Sequence, residues 1–436
     1  MKLLAQLLVR LDATLGERRR NRAGIPGRSR NLFGAGPEFL TAAMQVFGAL
    51  PRSNRVSAIT RFEECGGGST GRKALLDVEY AHPEIGLPTE LFVKFSRDFD
   101  NPRRDRGKSQ MELEVAFGVL SAGCPLPVTV PVCLFADYDR ESATGMLLTE
   151  RISFGQAGIE PHYDKCLDYR MPDALGHYRA LLSSVARLAG AHRAGALPAA
   201  ATDQFRYDAA KVAVGRRIHR SADEFTAQVH RLVEFAGRYP ALLPPAVADP
   251  GFVTRMLADV GRIAAAEDAI MARLHSTGDQ VALCHWNANV DNAWFWTDPD
   301  GRLDCGLMDW GCVSVMNVAM ALWGSLCSAE TELWRQHTDE LLTHFTAEYR
   351  GAGGPDLDLG TLRTQVMLYA AVMGVTWLLD APAHLQAVLP DQSIDRTDRC
   401  VADHEAVRSP LLMLSNVLHL WDTEDFGALL DEFGQS

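Results

Sequence analysis

The chain has 436 residues, 47% hydrophobic and 22% charged, a globular balance that excludes a disordered chain, a collagen and a multi-span membrane protein. Lys plus Arg number 43 against 55 Asp plus Glu, so the formal charge is −12, which disfavours phosphate backbones and predicts no nucleic-acid partner. The nine cysteines include no CxxC pair, which predicts free thiols in a reducing cytosol and a cytoplasmic location.

The amino terminus, MKLLAQLLVRLDATLGERRRN, is apolar but broken by Arg10 and Asp12, so it reads as an amphipathic helix and not a secretion signal. No run of about 18 uncharged apolar residues follows, and no membrane association is expected. The stretch NRAGIPGRSRNLFGAGP reads as a loop, and Glu38 to Leu50 as a helix stopped by Pro51. From Val56 the texture is β-like: VSAITRF, ALLDVEYA and ELFVKFSRD each read as a strand, the first two paired as a hairpin around ECGGGSTGRK. A charged loop with Arg103, Arg104, Arg106 and Lys108 follows and reads as solvated. SQMELEVAFGVLSAG has helical period, and VPVCLFADYD and GMLLTERISFG supply two more strands. Helices are expected over about 172–194, 203–240 and 251–277. A short β-like zone then spans VALCHW, NAWFW and LDCGLMDWG, and helices dominate from Val315 onward.

This order predicts an N-terminal helical extension over 1–50, a strand-rich unit with one helix over 51–155, and a helical unit over 156–436 that encloses the small strand insert. Strands and helices do not alternate throughout, as a Rossmann fold requires. The glycines 66–68 lie between two strands, whereas a dinucleotide fingerprint opens a helix. No GxSxG elbow and no HExxH site is present.

The segment CHWNANVDNAWFW crowds His285, Asn287, Asn289, Asp291 and Asn292 beside three aromatic residues. Polar residues this dense next to Trp294, Phe295 and Trp296 suit a tight loop entering a hairpin at a cleft, with the aromatic side chains in the core. Asp309 follows in LMDWG. An amide oxygen and a carboxylate on neighbouring strands suit one Mg²⁺, which takes few protein ligands and completes its shell from phosphate and water.

These residues resemble the aminoglycoside phosphotransferase and choline kinase group, which has a protein-kinase-like fold. The group's His-Gly-Asp-x-x-x-x-Asn loop matches His285-Trp286-Asn287-Ala288-Asn289-Val290-Asp291-Asn292, and its metal-binding triplet matches Asp309-Trp310-Gly311. Upstream, Gly66, Gly67, Gly68 and Ser69 resemble the loop over the nucleotide, Lys94 in FVKF the phosphate-binding lysine, and Glu114 in ELEVAF its helix partner. Glu112, a nearby rival, points about 200° away around the helix. The resemblance spans roughly residues 40–350. It implies an α+β, two-lobed architecture with a small β-rich lobe and a large helical lobe. It also implies ATP and Mg²⁺ as cofactors, with Asn292 and Asp309 on the metal and His285 bracing the loop.

The match departs from the group at its centre. Asn287 stands where the group has its catalytic Asp, and an amide cannot accept a hydroxyl proton at neutral pH. Trp286 stands where the group has Gly, a bulky ring expected next to the phosphate path, and Asn317 where relatives often have a bracing Asp. Three accounts stay open: Asn287 positions a hydroxyl whose proton leaves late, Asp291 acts as base or metal ligand, or the chain binds nucleotide and transfers nothing. The leading expectation is a phosphotransferase acting on a small-molecule hydroxyl. A pseudokinase-like nucleotide-binding or regulatory protein is the alternative, and nucleotidylation on the same scaffold a third. Tyr349, Tyr369, Trp377 and the helix around them suggest a hydrophobic alcohol as acceptor, and the acidic surface would admit a cationic one. A homodimer is the default for oligomeric state.

Overall fold

The computed structural model describes residues 27–66, 71–84, 86–206, 220–276 and 278–435. The expected amino-terminal amphipathic helix, and Gly67, Gly68 and Ser69, lie outside the described residues. The chain divides into two compact units that are not contiguous in sequence. The first holds the described residues up to Ser153 together with Leu197–Phe205 and Met308–Val313. The second holds the rest. The architecture is α+β, one unit built on a sheet and one on helices.

The first unit is built on five antiparallel strands in the order β1-β2-β3-β5-β4: β1 Val56–Cys65, β2 Arg72–Tyr80, β3 Glu90–Phe95, β4 Cys133–Asp139 and β5 Thr144–Glu150. Period-two alternation puts Leu76, Val78, Leu91, Val93 and Leu148 into one buried layer. Leu40 and Met44 of helix α1 (Gly27–Phe47) close that layer, and Phe39 and Phe47 meet Phe135 edge-on. Helix α2 (Met111–Gly123) packs on the β4–β5 side through Met111 and Val115. The predicted loop before Glu38 is a correction: α1 begins at Gly27 and runs through Pro37. Turn residues weigh heavily in a local reading, and burial of the α1 face on the sheet outweighs them here.

Gly71 is where the chain re-enters the sheet. Its φ is +57°, and a Cβ there would lie 1.9 Å from the carbonyl oxygen of Phe95. Only glycine lets the backbone at position 71 approach β3 this closely.

In the second unit, α3 (Ala174–Arg193) is buried along most of its length and packs on α7 (Thr331–Gly351). Around this pair lie α4 (Ala222–Arg238), α5 (Pro250–Ser276), α6 (Val318–Leu326), α8 (Leu359–Thr376), α9 (Glu405–Thr423) and α10 (Phe426–Gln435). The stretch Leu359–Gln386 is apolar enough to cross a membrane by composition, but 78% of its most apolar window is buried inside the protein. It is a core helix. Two short ribbons carry the loops of interest: β6 (Val281–His285) with β9 (Val313–Asn317), and β7 (Ala293–Thr297) with β8 (Leu303–Leu307). Strand β9 is not marked by sequence alternation, because it is buried at four of its five positions.

Candidate functional site

In the first unit the site grows from β3. Lys94 points off the sheet toward α2, and its Nζ donates to Glu114 Oε1 at 2.5 Å. A second carboxylate reaches the same nitrogen: Asp309 Oδ1 lies 3.0 Å away. The Lys94 and Glu114 side chains are only 12% and 8% exposed, so this is a desolvated ion cluster. Burial by itself lowers the Lys94 pKa, but Asp309 and then Glu114 outweigh it and hold the ammonium above its usual range. Burial pushes the Glu114 carboxyl up while Lys94 pulls it down. Glu112 is turned away and pairs with Arg140.

Asp309 sits in left-handed backbone, φ 61° and ψ 60°, a conformation Asp tolerates at some cost. The residue after it holds the turn in place. Trp310 stacks on Phe117 with centroids 3.7 Å apart and planes 15° apart. Phe117 lies three positions after Glu114 on α2, so one helix face anchors both the lysine and the segment that carries Asp309. Lys73, which the sequence reading passed over, is directly opposite Lys94 in the β2–β3 register and places its Nζ 3.8 Å from Asp309 Oδ2.

In the second unit the loop between β6 and β7 gathers His285, Asn287, Asp291 and Asn292. His285 is fully buried, and its Nδ1 accepts the backbone N–H of Asn287 at 3.2 Å. Asn292 is buried, and its Nδ2 donates to the Asn287 carbonyl at 2.9 Å, which leaves Oδ1 as the amide's acceptor. The Asn289 amide sits 2.6 Å from Asn287 Oδ1 and 2.6 Å from Ser328 Oγ. Asp291 has a buried Oδ1 with no hydrogen-bond partner. Burial raises its pKa, and Lys165 opposes that rise. Lys165 is a second residue absent from the sequence reading: its Nζ lies 3.5 Å from Asn287 Oδ1. It comes from the irregular segment between Gly155 and α3, where no periodic signal marks it.

The Trp286 ring belongs to the core. Its Nε1 donates to Tyr369 Oη at 3.0 Å, and its carbonyl oxygen would lie 1.7 Å from a Cβ at Gly324. The expectation of a bulky ring on the phosphate path is therefore corrected: the close approach to α6 and the bond to α8 draw the indole inward. Tyr349 and Tyr369 are likewise buried, and Tyr349 Oη donates to the Asp279 carbonyl at 2.8 Å, so neither lines an open acceptor surface; Trp377 is 45% exposed. Asn317 caps α6 through the Ala319 N–H at 2.8 Å and donates to the Leu274 carbonyl at 2.9 Å.

Asp309 in the first unit and Asn292 in the second each carry a hard oxygen donor. Among the described residues no three His, Cys, Asp or Glu side chains form a metal cluster. That donor chemistry fits magnesium, which needs one or two protein oxygens, and not a structural zinc.

No family model matches the chain, and no curated protein matches it. Among solved structures it is similar to a choline kinase from Cryptosporidium parvum Iowa II at 11% identity, over 85% of this chain and 90% of that one, with a TM-score of 0.45. It is also similar to a microcompartment-associated aminopropanol kinase at 12% identity, 89% and 99% coverage and a TM-score of 0.43. The GDP complex of wild-type aminoglycoside 2'-phosphotransferase-IIIa matches at 14% identity, 87% and 97% coverage and a TM-score of 0.40.

Proposed function

We propose that the protein is an ATP- and Mg²⁺-dependent phosphotransferase acting on a hydroxyl of a small molecule. The observation that supports this reading best is the desolvated cluster of Lys94 between Glu114 and Asp309. A buried ammonium between two carboxylates, beside a glycine-bearing turn, is costly as a structural device and suited to gripping phosphate oxygens. Lys94 holds the phosphates and Glu114 orients Lys94; phosphate contact through backbone N–H groups is assigned to the glycine-rich segment of Gly66, Gly67, Gly68 and Ser69 from its sequence. Asp309 and Asn292 hold Mg²⁺, which when bound neutralises phosphate charge.

Proton removal from the acceptor falls to Asp291. Asn287 has no basic lone pair to offer, whereas the Asp291 carboxyl has a buried, unpartnered oxygen in the same loop. Asn287 positions the hydroxyl, and His285 keeps the loop in shape through the Asn287 N–H. Lys165 opposes the rise that burial imposes on the Asp291 carboxyl.

The amide at position 287 favours one second reading, a nucleotide-binding protein that transfers nothing. Titration calorimetry with Mg·ATP, followed by phosphate transfer to a panel of alcohols, separates the two. Binding with transfer supports the kinase, binding without transfer supports the second reading, and no binding removes both.

A further inference from the structure

We infer that Lys73 is a second phosphate-binding cation of the nucleotide site, resting on the reading of that site given above. Lys73 and Lys94 are register partners on β2 and β3, so both side chains leave the same face of the sheet. Like charges directly opposite one another destabilise a sheet. Here both are also largely buried, 21% and 12% exposed.

The neighbouring cation shows how such a charge is normally settled. Arg72 meets Asp98 at 3.0 Å and Glu64 at 3.3 Å, and it also pairs with Asp100. Lys94 makes direct ion pairs with both Glu114 and Asp309 Oδ1. Lys73 has a single ion pair among the described residues, at 3.8 Å, with the carboxylate that Lys94 already engages more closely. The four charges of Lys73, Lys94, Glu114 and Asp309 cancel. Once Asp309 serves a metal, Lys73 is left without its carboxylate and needs another anion. Its place opposite Lys94 in the β2–β3 register puts that anion beside the proposed phosphate-binding lysine. Lys73 therefore adds charge for the polyphosphate and sharpens preference for nucleotides with more phosphates.

The test is titration calorimetry of Mg·ATP, Mg·ADP and AMP on the full chain and on Lys73→Met, Lys73→Arg, Lys73→Gln and Lys94→Met, each first checked by thermal melting. Lys73→Met is expected to weaken Mg·ATP about tenfold, the weight of one charge-assisted hydrogen bond, and to narrow the preference for ATP over AMP. Lys73→Arg should retain most of the affinity, and Lys73→Gln replaces the Met variant if the latter does not fold. A neutral Lys73 variant that binds Mg·ATP within twofold of the native chain, while Lys94→Met loses it, overturns this inference and leaves the nucleotide reading standing. A native chain that binds no nucleotide overturns both.

Discussion

The sheet unit and the helical unit treat charge in opposite ways. In the sheet unit Lys94, Glu114 and Asp309 compensate one another at 2.5 and 3.0 Å, and α2 braces the arrangement from one face. In the helical unit the loop from His285 to Asn292 is rich in amides: Asp291 within it has a buried oxygen with no hydrogen-bond partner, and Lys165 lies 3.5 Å from Asn287 Oδ1. On the proposed reading the phosphate-binding cations belong to one unit and the general base to the other, so mutations in the two regions should separate nucleotide binding from turnover.

The largest effect is expected from Asp291→Asn. If Asp291 is the base, kcat falls by about 10²–10⁴ while Mg·ATP affinity measured by calorimetry is kept. Loss of binding with loss of turnover would instead make it a ligand to the nucleotide complex. In the native protein burial raises the Asp291 carboxyl, so if Asp291 is the base the acid limb of kcat/KM should lie above the ordinary carboxylate range.

The helical unit carries another uncompensated carboxyl. Asp168 accepts from Tyr178 Oη at 2.8 Å and from the Glu330 N–H at 3.1 Å through one oxygen, while its other oxygen is buried without a partner. Burial pushes it up to about 7 from an ordinary 3.8. The folded state therefore binds this proton more tightly than the unfolded chain does. The resulting stability is complete below the unfolded pKa and is lost as pH rises through the folded one. The loss amounts to as much as about 4 kcal/mol. Denaturant titrations from acid to neutral pH should show this decline in the native chain and a flatter profile in Asp168→Asn.

Lys94→Met tests the other side of the comparison. Removing the shared cation leaves Glu114 and Asp309 facing one another, and Mg·ATP affinity should fall roughly 100-fold, about 3 kcal/mol. An unchanged Kd would show that the cluster is structural. The smallest effect is Gly324→Ala. Its Cβ would collide with the Trp286 carbonyl and push the 285–292 loop, at a cost of about 1–3 kcal/mol in stability. Turnover should drop while nucleotide affinity holds. Equal loss of both would mean that the loop governs binding as well.

Much of the sheet unit was legible in the chain itself. Strand β1 announces itself by alternation and β-branched residues, β2 to β5 by short apolar runs, and Lys94 to Glu114 has the strand–loop–helix spacing that lets the two meet. The amides of the 285–292 loop were legible as an anomaly of composition. Lys73 was not, because a lysine near a strand end looks like any solvated edge residue until its register partner is known. Lys165 was not, because it lies in irregular backbone. Helix α1 was misjudged upstream of Glu38, and β9 was hidden by continuous burial.

Periodicity, turn chemistry and residue type are local properties, and they sufficed to set most of the strands and helices and the chemical inventory of both loops. Which cation shares which carboxylate, which way the Trp286 ring turns and which oxygens remain unpartnered depend on side chains brought together from distant parts of the chain. Those outcomes follow from desolvation and close packing, which exist only once the units have folded.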